Sequence, residues 1–203
     1  MLPRNGFIAA LFALALLAPA GAAEPGKTLD DGRLDPAWFG PGVEFRTTDD
    51  IDYVWVKPGF SLKGKKLRVE KWPDPAFLGK DRRGRDSARA FELVDNMPMK
   101  IRSSLKVTLQ GTAEIVPEGG DLILSGRLVD YVSGGTMGKS QPGATWDMKI
   151  TGAAGGELLV AVHHRTLMVL AKTEERIDIW LEKFGEALKD DLKMAASGTP
   201  ATS

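Results

Sequence analysis

The chain has 203 residues, and its 27 basic and 27 acidic side chains cancel to a formal net charge of zero at pH 7. That balance lacks the basic excess that accompanies nonspecific nucleic-acid binding, so no nucleic-acid partner is expected. The sequence contains no cysteine, which excludes disulfides, thiol catalysis and thiolate metal sites. The same absence excludes the lipobox cysteine that would carry a lipid anchor.

The N-terminus has the pattern of an export signal. Arg4 is the sole charge before an apolar run of twelve residues from Phe7 to Ala18, and a transmembrane helix would need about twenty. Small residues follow, and Gly21 with Ala23 form a small-x-small cleavage pattern. We expect a signal peptide over residues 1–23, cut after Ala23, and a periplasmic or secreted protein without a transmembrane span after cleavage.

Residues 24–50 are rich in Gly, Pro and Asp and are predicted to be an irregular lead-in, anchored by Trp38 and Phe39. An α/β domain is expected over residues 51–194, followed by a small, polar and disordered tail at 195–203. The domain begins with two predicted strands, Asp52–Val56 and Leu67–Trp72.

Helical patterns follow the two strands. Asp86 is predicted to cap a short helix that ends near Val94. Pro98 suits the first turn of a second helix, with Asn96 as its cap and an end near Gln110. Strands are then expected at residues 113–116, 122–132, 145–151 and 157–165, before a closing helix that begins near Thr173.

In the strand at 145–151, Trp146, Met148 and Ile150 are predicted to face inward and Asp147 and Lys149 outward. The sequence therefore indicates a single α+β domain, with a largely antiparallel sheet and two helices on one face. The expected order is strand–helix–strand–strand–strand–helix.

Three segments resemble a known group of proteins. They are Asp52–Gly59, Leu124–Tyr131 with the Gly-rich loop after it, and Trp146–Ile150. Together they are similar to uncharacterised bacterial envelope lipoprotein families, domains of unknown function with a TolB-N-terminal-like fold. The resemblance implies a fold and an envelope compartment, and it supplies no catalytic residues. The chain departs from many members by lacking the lipid-anchoring cysteine.

Several motifs resemble functional sites but lack the arrangement of residues that those sites require. The segment Gly134–Ser140 resembles a phosphate loop, but Ser133 stands where the first glycine belongs, and the segment joins two strands instead of a strand and a helix. His163 and His164 are neighbours on a strand and point to opposite faces, so they cannot coordinate the same metal ion. One of them is expected to be partly buried and the other solvated. No catalytic, cofactor or metal site is predicted.

Two segments are candidates for docking a partner, with a solvated loop as the alternative for each. The first is a basic cluster that could meet an acidic protein or, weakly, anionic lipid headgroups; it comprises Lys80, Arg82, Arg83 and Arg85. The second is the tip of a long hairpin loop; it comprises Gly134, Gly135, Gly138 and Lys139.

The favoured function is a non-enzymatic binding or envelope-assembly accessory domain with an unidentified envelope protein as partner. Two alternatives stay open. A periplasmic hydrolase would need its scattered carboxylates to converge, and the candidates are Asp130, Asp147 and Glu157. A small-ligand carrier would use aromatic side chains, and the candidates are Trp55, Trp72 and Trp146.

Overall fold

The computed structural model describes residues 32–48, 50–79, 85–133, 142–167 and 173–190. The predicted signal peptide, the predicted tail and most of the two docking segments lie outside these ranges. A 3₁₀ turn at Pro36–Trp38 precedes the sheet. The strands are β1 (Tyr53–Val56), β2 (Lys66–Val69), β3 (Glu114–Val116), β4 (Leu122–Val132), β5 (Gly143–Gly152) and β6 (Leu158–Leu167). The helices are α1 (Ser87–Thr108) and α2 (Thr173–Lys189).

The six strands form one mixed sheet in the order β1-β6-β5-β4-β2-β3. The pairs β1–β6, β6–β5 and β5–β4 are antiparallel, whereas β2 runs parallel to both β4 and β3. The α+β class with two helices is as predicted. The predicted order of elements is not the one found: in the described residues two strands precede α1 and four lie between α1 and α2. Each of the six strands overlaps a strand predicted from the sequence; the predicted order was wrong in its count, since it gave one strand before the first helix and three between the helices.

Helix α1 is a single helix where the sequence predicted two. Asp86 caps it as expected, since its carboxylate accepts a hydrogen bond of 3.0 Å from the backbone N–H of Arg89. Pro98 lies inside the helix and is buried. Asn96 does not cap a new helix, because its side-chain amide donates to the carbonyl of Glu92 at 3.0 Å within the same helix. A proline in a helix interior costs about 3 kcal/mol, and the buried face that continues past Pro98 from Leu93 to Leu105 offsets that cost.

Both helices pack on one face of the sheet. Their apolar sides share one core with the inward residues of the strands, among them Leu124, Trp146 and Ile150. The inward positions predicted for β5 are therefore confirmed. None of the helices within the described ranges combines the length and apolar character needed to span a membrane.

The opposite face of the sheet is covered by part of the predicted lead-in, which we call the lead-in strap (residues 32–48). Leu34, Phe39, Val43 and Phe45 are buried against Ala161 of β6 in a second apolar cluster. Beyond them, Arg46 and Val54 exchange two backbone hydrogen bonds of 2.8 Å, which cover the outer edge of β1. The strap thus encloses the sheet from the side that lacks helices.

Candidate functional site

A row of charged side chains crosses the sheet beneath the lead-in strap. The register sets Arg127 of β4, Asp147 of β5 and His163 of β6 directly opposite one another. The Nε of Arg127 donates to Asp147 Oδ2 at 2.8 Å, and its Nη2 lies 2.7 Å from the same oxygen. Nδ1 of His163 lies 2.6 Å from the other oxygen, Oδ1. The carboxylate of Asp147 is therefore held from both sides. Asp147 lies on the predicted outward face of β5, away from the helices, but the strap covers that face and the side chain is buried.

The side chain of Trp38, in the strap, covers this row of charged side chains. Its ring centroid lies 4.7 Å from the guanidinium carbon of Arg127 and 4.3 Å from Nζ of Lys149. Nζ of Lys149 also donates to the Trp38 carbonyl at 3.2 Å. Burial lowers the pKa of the Lys149 ammonium, and the neighbouring Arg127 charge lowers it further, against the opposing effect of Asp147. The row is a closed internal network that fixes the strap to the sheet.

A second buried ion cluster surrounds Asp130. Its carboxylate lies 3.0 Å from Nε of Arg85 and 3.4 Å from Nε of Arg33. Nη2 of Arg85 also donates to the Gly79 carbonyl at 3.0 Å. Arg85, a predicted member of the basic docking cluster, therefore uses its charge inside the fold.

The remaining predicted docking residues lie outside the described ranges. Of the basic cluster these are Lys80, Arg82 and Arg83; of the hairpin tip, they are Gly134, Gly135, Gly138 and Lys139. Docking through them stays a prediction.

The three carboxylates of the hydrolase hypothesis do not form one group. Asp147 and Asp130 belong to the two buried arginine clusters, whereas Glu157 lies just before β6, is largely exposed and pairs with Lys57. Within the described residues, no group of three or more histidine, aspartate or glutamate side chains is arranged to hold a metal ion.

The tryptophans of the ligand-carrier hypothesis are structural in position. Trp72 and Trp146 are buried in the main core, and Trp55 packs, partly buried, against the cluster beneath the strap. A Cβ atom added at Gly126 would lie 2.5 Å from the Trp72 indole, so that ring sits directly on the backbone of β4. No ligand-sized space separates Trp72 from the strand at this point.

Both histidines are largely buried, although one was predicted to be solvated. His163 is enclosed beneath the strap, and His164 points to the helix face, where its side chain is 13 % exposed. Its ring stacks on Trp180 of α2 with centroids 4.9 Å apart and an interplanar angle of 8°. Burial lowers the pKa of His164 from 6.5 to about 4. The sequence did not reveal that α2 would cover this position.

On the outer side of the helix layer, α1 and α2 run in the same direction and leave a groove between them. Nζ of Lys100 meets Asp178 Oδ1 at 2.8 Å near one end. At the other end the helices approach so closely that a Cβ on Gly185 would lie 2.2 Å from Thr108 Oγ1. The groove has a volume of about 410 Å³. Its walls include Met99, Ser103 and Val107 of α1 and Asp178, Leu181 and Glu182 of α2.

The groove exposes apolar side chains at helical spacing. Met99 and Val107 are 60 % and 73 % exposed and are separated by two turns along α1, with Ser103 between them. We call this surface the α1–α2 groove. An exposed apolar strip rimmed by charged groups is the kind of surface that binds another protein.

Neither a protein-family model nor a curated protein matches the sequence. Among solved structures, two crystal forms of the PelC dodecamer from Paraburkholderia phytofirmans are similar to this chain. Their TM-scores are 0.46 and 0.43 at 10 % and 11 % identity, over 67 % of this chain and 95 % and 94 % of theirs. A DUF330 protein from Xanthomonas campestris has a TM-score of 0.38 at 13 % identity, over 68 % of this chain and 86 % of its own. These neighbours thus include a domain of unknown function. The TolB-N-terminal-like assignment stays a prediction.

Proposed function

We propose that this chain is an exported, non-enzymatic binding domain of the bacterial envelope that recruits a protein partner through the α1–α2 groove. The observation that carries the proposal is the exposure of Met99 and Val107 beside the groove. Export rests on the pattern of residues 1–23.

The distribution of polar groups supports binding in preference to catalysis. Asp147 and Asp130 are held by arginines beneath the strap and are almost completely buried, so a substrate in solution does not reach them. The α1–α2 groove, by contrast, is open and combines apolar and charged walls. Burying Met99 and Val107 against a partner would stabilise a complex by about 25 cal/mol per Å² of apolar surface removed from water.

Photocrosslinking in cells tests the proposal. Benzoylphenylalanine replaces Ser103 inside the groove and, in the matched control, the exposed Lys63 on the loop before β2. The expected result is a discrete crosslinked protein from Ser103 and none of the same mass from Lys63. The absence of any crosslink from Ser103, or the same product from both positions, would contradict the proposal. The mass of the exported chain, measured in the same samples, reports whether residues 1–23 are removed.

The basic docking cluster predicted from the sequence should be tested with Arg85 left unchanged. Replacing Arg85 would leave Asp130 short of one of its two arginines, so a loss of binding could follow from unfolding. A triple alanine variant of Lys80, Arg82 and Arg83, with Arg85 retained, tests the basic cluster alone. Loss of the Ser103 crosslink in that variant would show that the basic cluster contributes to the same complex.

A further inference from the structure

The side chain of Asp130 connects the lead-in strap to a segment much later in the chain. Its Oδ2 lies 3.4 Å from Nε of Arg33, in the strap, and its Oδ1 lies 3.0 Å from Nε of Arg85. The carboxylate is almost completely buried, and the two guanidinium groups are nearly so. One buried carboxylate therefore holds two arginines that are far apart in the sequence, one on each oxygen.

Residues 76–79, which we call the anchored segment, pack into the same cluster. Nη2 of Arg85 donates to the carbonyl of Gly79 at 3.0 Å, and Gly79 is buried. A Cβ atom added at Gly79 would overlap Oδ2 of Asp130 and lie 3.4 Å from Nε of Arg33. The end of the anchored segment thus lies against the strap arginine as well as against the carboxylate.

The anchored segment is held on β4 in a strained conformation. The backbone N–H of Ala76 donates to Leu128 at 2.9 Å, and that of Leu78 donates to Val129 at 3.0 Å. Between these two bonds Phe77 has a φ of 51°, in the left-handed region that is unfavourable for a bulky side chain. Such a conformation persists only where the surrounding structure enforces it. We therefore expect the anchored segment to leave β4 more readily once its end is released.

The lead-in strap strengthens the hold of Asp130 on Arg85 by excluding water. The attraction between two charges is several times weaker in water than in a protein interior, and an ion pair exposed to solvent contributes little. When the strap lifts from the sheet, Arg33 leaves Asp130 and the carboxylate becomes accessible to water. The remaining Arg85–Asp130 pair then holds the end of the anchored segment less firmly.

We propose that Asp130 couples the lead-in strap to the anchored segment, so that release of the strap also loosens the anchored segment from β4. Coupling of this kind acts in both directions, so a molecule that fixes either segment also holds the other in place. In the sequence, the anchored segment leads directly into Lys80, Arg82 and Arg83 of the predicted basic docking cluster. The inference goes beyond the function proposed for the α1–α2 groove and does not depend on it.

Amide hydrogen exchange at Leu78, measured by NMR on the mature chain, residues 24–203, reports the opening of the anchored segment. Trp38→Ala weakens the strap without removing any group bonded to Asp130, because it deletes the ring that packs on Arg127 and Lys149. The Leu78 amide is expected to exchange about tenfold faster in this variant, since local opening becomes more frequent.

Arg33→Met removes the contact between the strap and Asp130 itself and is expected to accelerate Leu78 exchange by the same factor. Combining it with Trp38→Ala is expected to keep the increase at about tenfold, since both changes release the same contact and their effects do not add. Leu181→Ala is the control for overall stability, because Leu181 lies in the main core on the helix side of the sheet. Leu78 exchange is expected to stay within about twofold in that control.

Three outcomes would overturn the inference. The first is unchanged Leu78 exchange in Trp38→Ala or in Arg33→Met. The second is an increase of about a hundredfold in the double variant, which would show that the two changes act independently. The third is an equal acceleration in Leu181→Ala, which would show that Leu78 exchanges through unfolding of the whole domain. None of these results alters the Ser103 crosslink, so the proposed binding function is tested separately.

Discussion

Acidification should weaken the fold through His164. The ring is stacked on Trp180 between β6 and α2, with 13 % of the side chain exposed. Burial is the main cause that lowers its pKa to about 4, with the charges of His163 and Lys183 acting in the same direction. The carboxylates of Asp52 and Asp50 oppose the shift. The buried ring therefore favours the neutral form.

The sign of the effect follows from the two pKa values. The unfolded chain takes up the proton near pH 6.5, and the folded chain does so only near pH 4, so the free energy of unfolding falls as the pH drops through this window. At about 1.4 kcal/mol per pKa unit, the loss attributable to His164 amounts to about 3 kcal/mol. Well above pH 6.5 both states are neutral, and there this group contributes no pH dependence.

Urea unfolding at a series of pH values measures the loss. His164→Phe keeps an aromatic ring for stacking on Trp180 and removes the titrating group, while all other acidic and basic residues are shared. The free energy of unfolding of the unmodified chain should fall by about 3 kcal/mol more than that of His164→Phe between pH 7 and pH 4. Parallel curves for the two proteins would refute the reasoning.

Two further predictions concern the interior of the sheet. Gly126→Ala should cost about 1–3 kcal/mol of unfolding free energy, because the new methyl group would lie 2.5 Å from the Trp72 indole. The control is Gly152→Ala on β5, whose methyl group meets nothing within 4 Å and which should be near neutral. Equal costs in the two variants would contradict the packing argument. Asp147→Asn should cost about 3–5 kcal/mol, because it removes the carboxylate 2.7 Å from Nη2 of the buried Arg127 and leaves that guanidinium with the more distant carboxylate of Asp35, at 3.7 Å. A change under 1 kcal/mol in urea unfolding would show that the Arg127–Asp147 pair does not stabilise the fold.

Local sequence patterns were enough to predict much of the sheet. The alternation in β5 predicted the inward residues Trp146, Met148 and Ile150, because side chains on a strand alternate between faces. The same rule placed Asp147 and Lys149 on the outward face, but it did not show that another segment of the chain covers this face. The segment that covers them is remote: Lys149 bonds to the carbonyl of Trp38, 111 residues earlier. The covering segment could have been inferred from three residues that take matching positions on successive strands: Arg127, Asp147 and His163.

Pro98 is the reason that two helices were predicted where the structure has the single helix α1. A proline favours the first turn of a helix because it lacks an N–H, and Asn96 offered a cap. Neither local preference outweighs an apolar face that continues on both sides of Pro98 from Leu93 to Leu105. Burial of that face in the main core decides that the helix is unbroken.

The α1–α2 groove could not be read from either helix alone. It exists because Lys100 and Asp178, 78 residues apart, are brought together by the packing of two parallel helices. Met99 and Val107 are apolar residues that lie off the buried stripe of α1, and this is the sequence feature that indicates the groove. Which helix would lie beside them depends on tertiary packing.

The most direct test of the central claim is the yield of the Ser103 photocrosslink in living cells, with and without Val107→Asp. The groove as a partner-binding surface predicts one discrete product from the exported chain, reduced at least about tenfold by a charge placed in its apolar wall. A product of unchanged yield in Val107→Asp, or no product at Ser103 when the exported chain is abundant and folded, would contradict it.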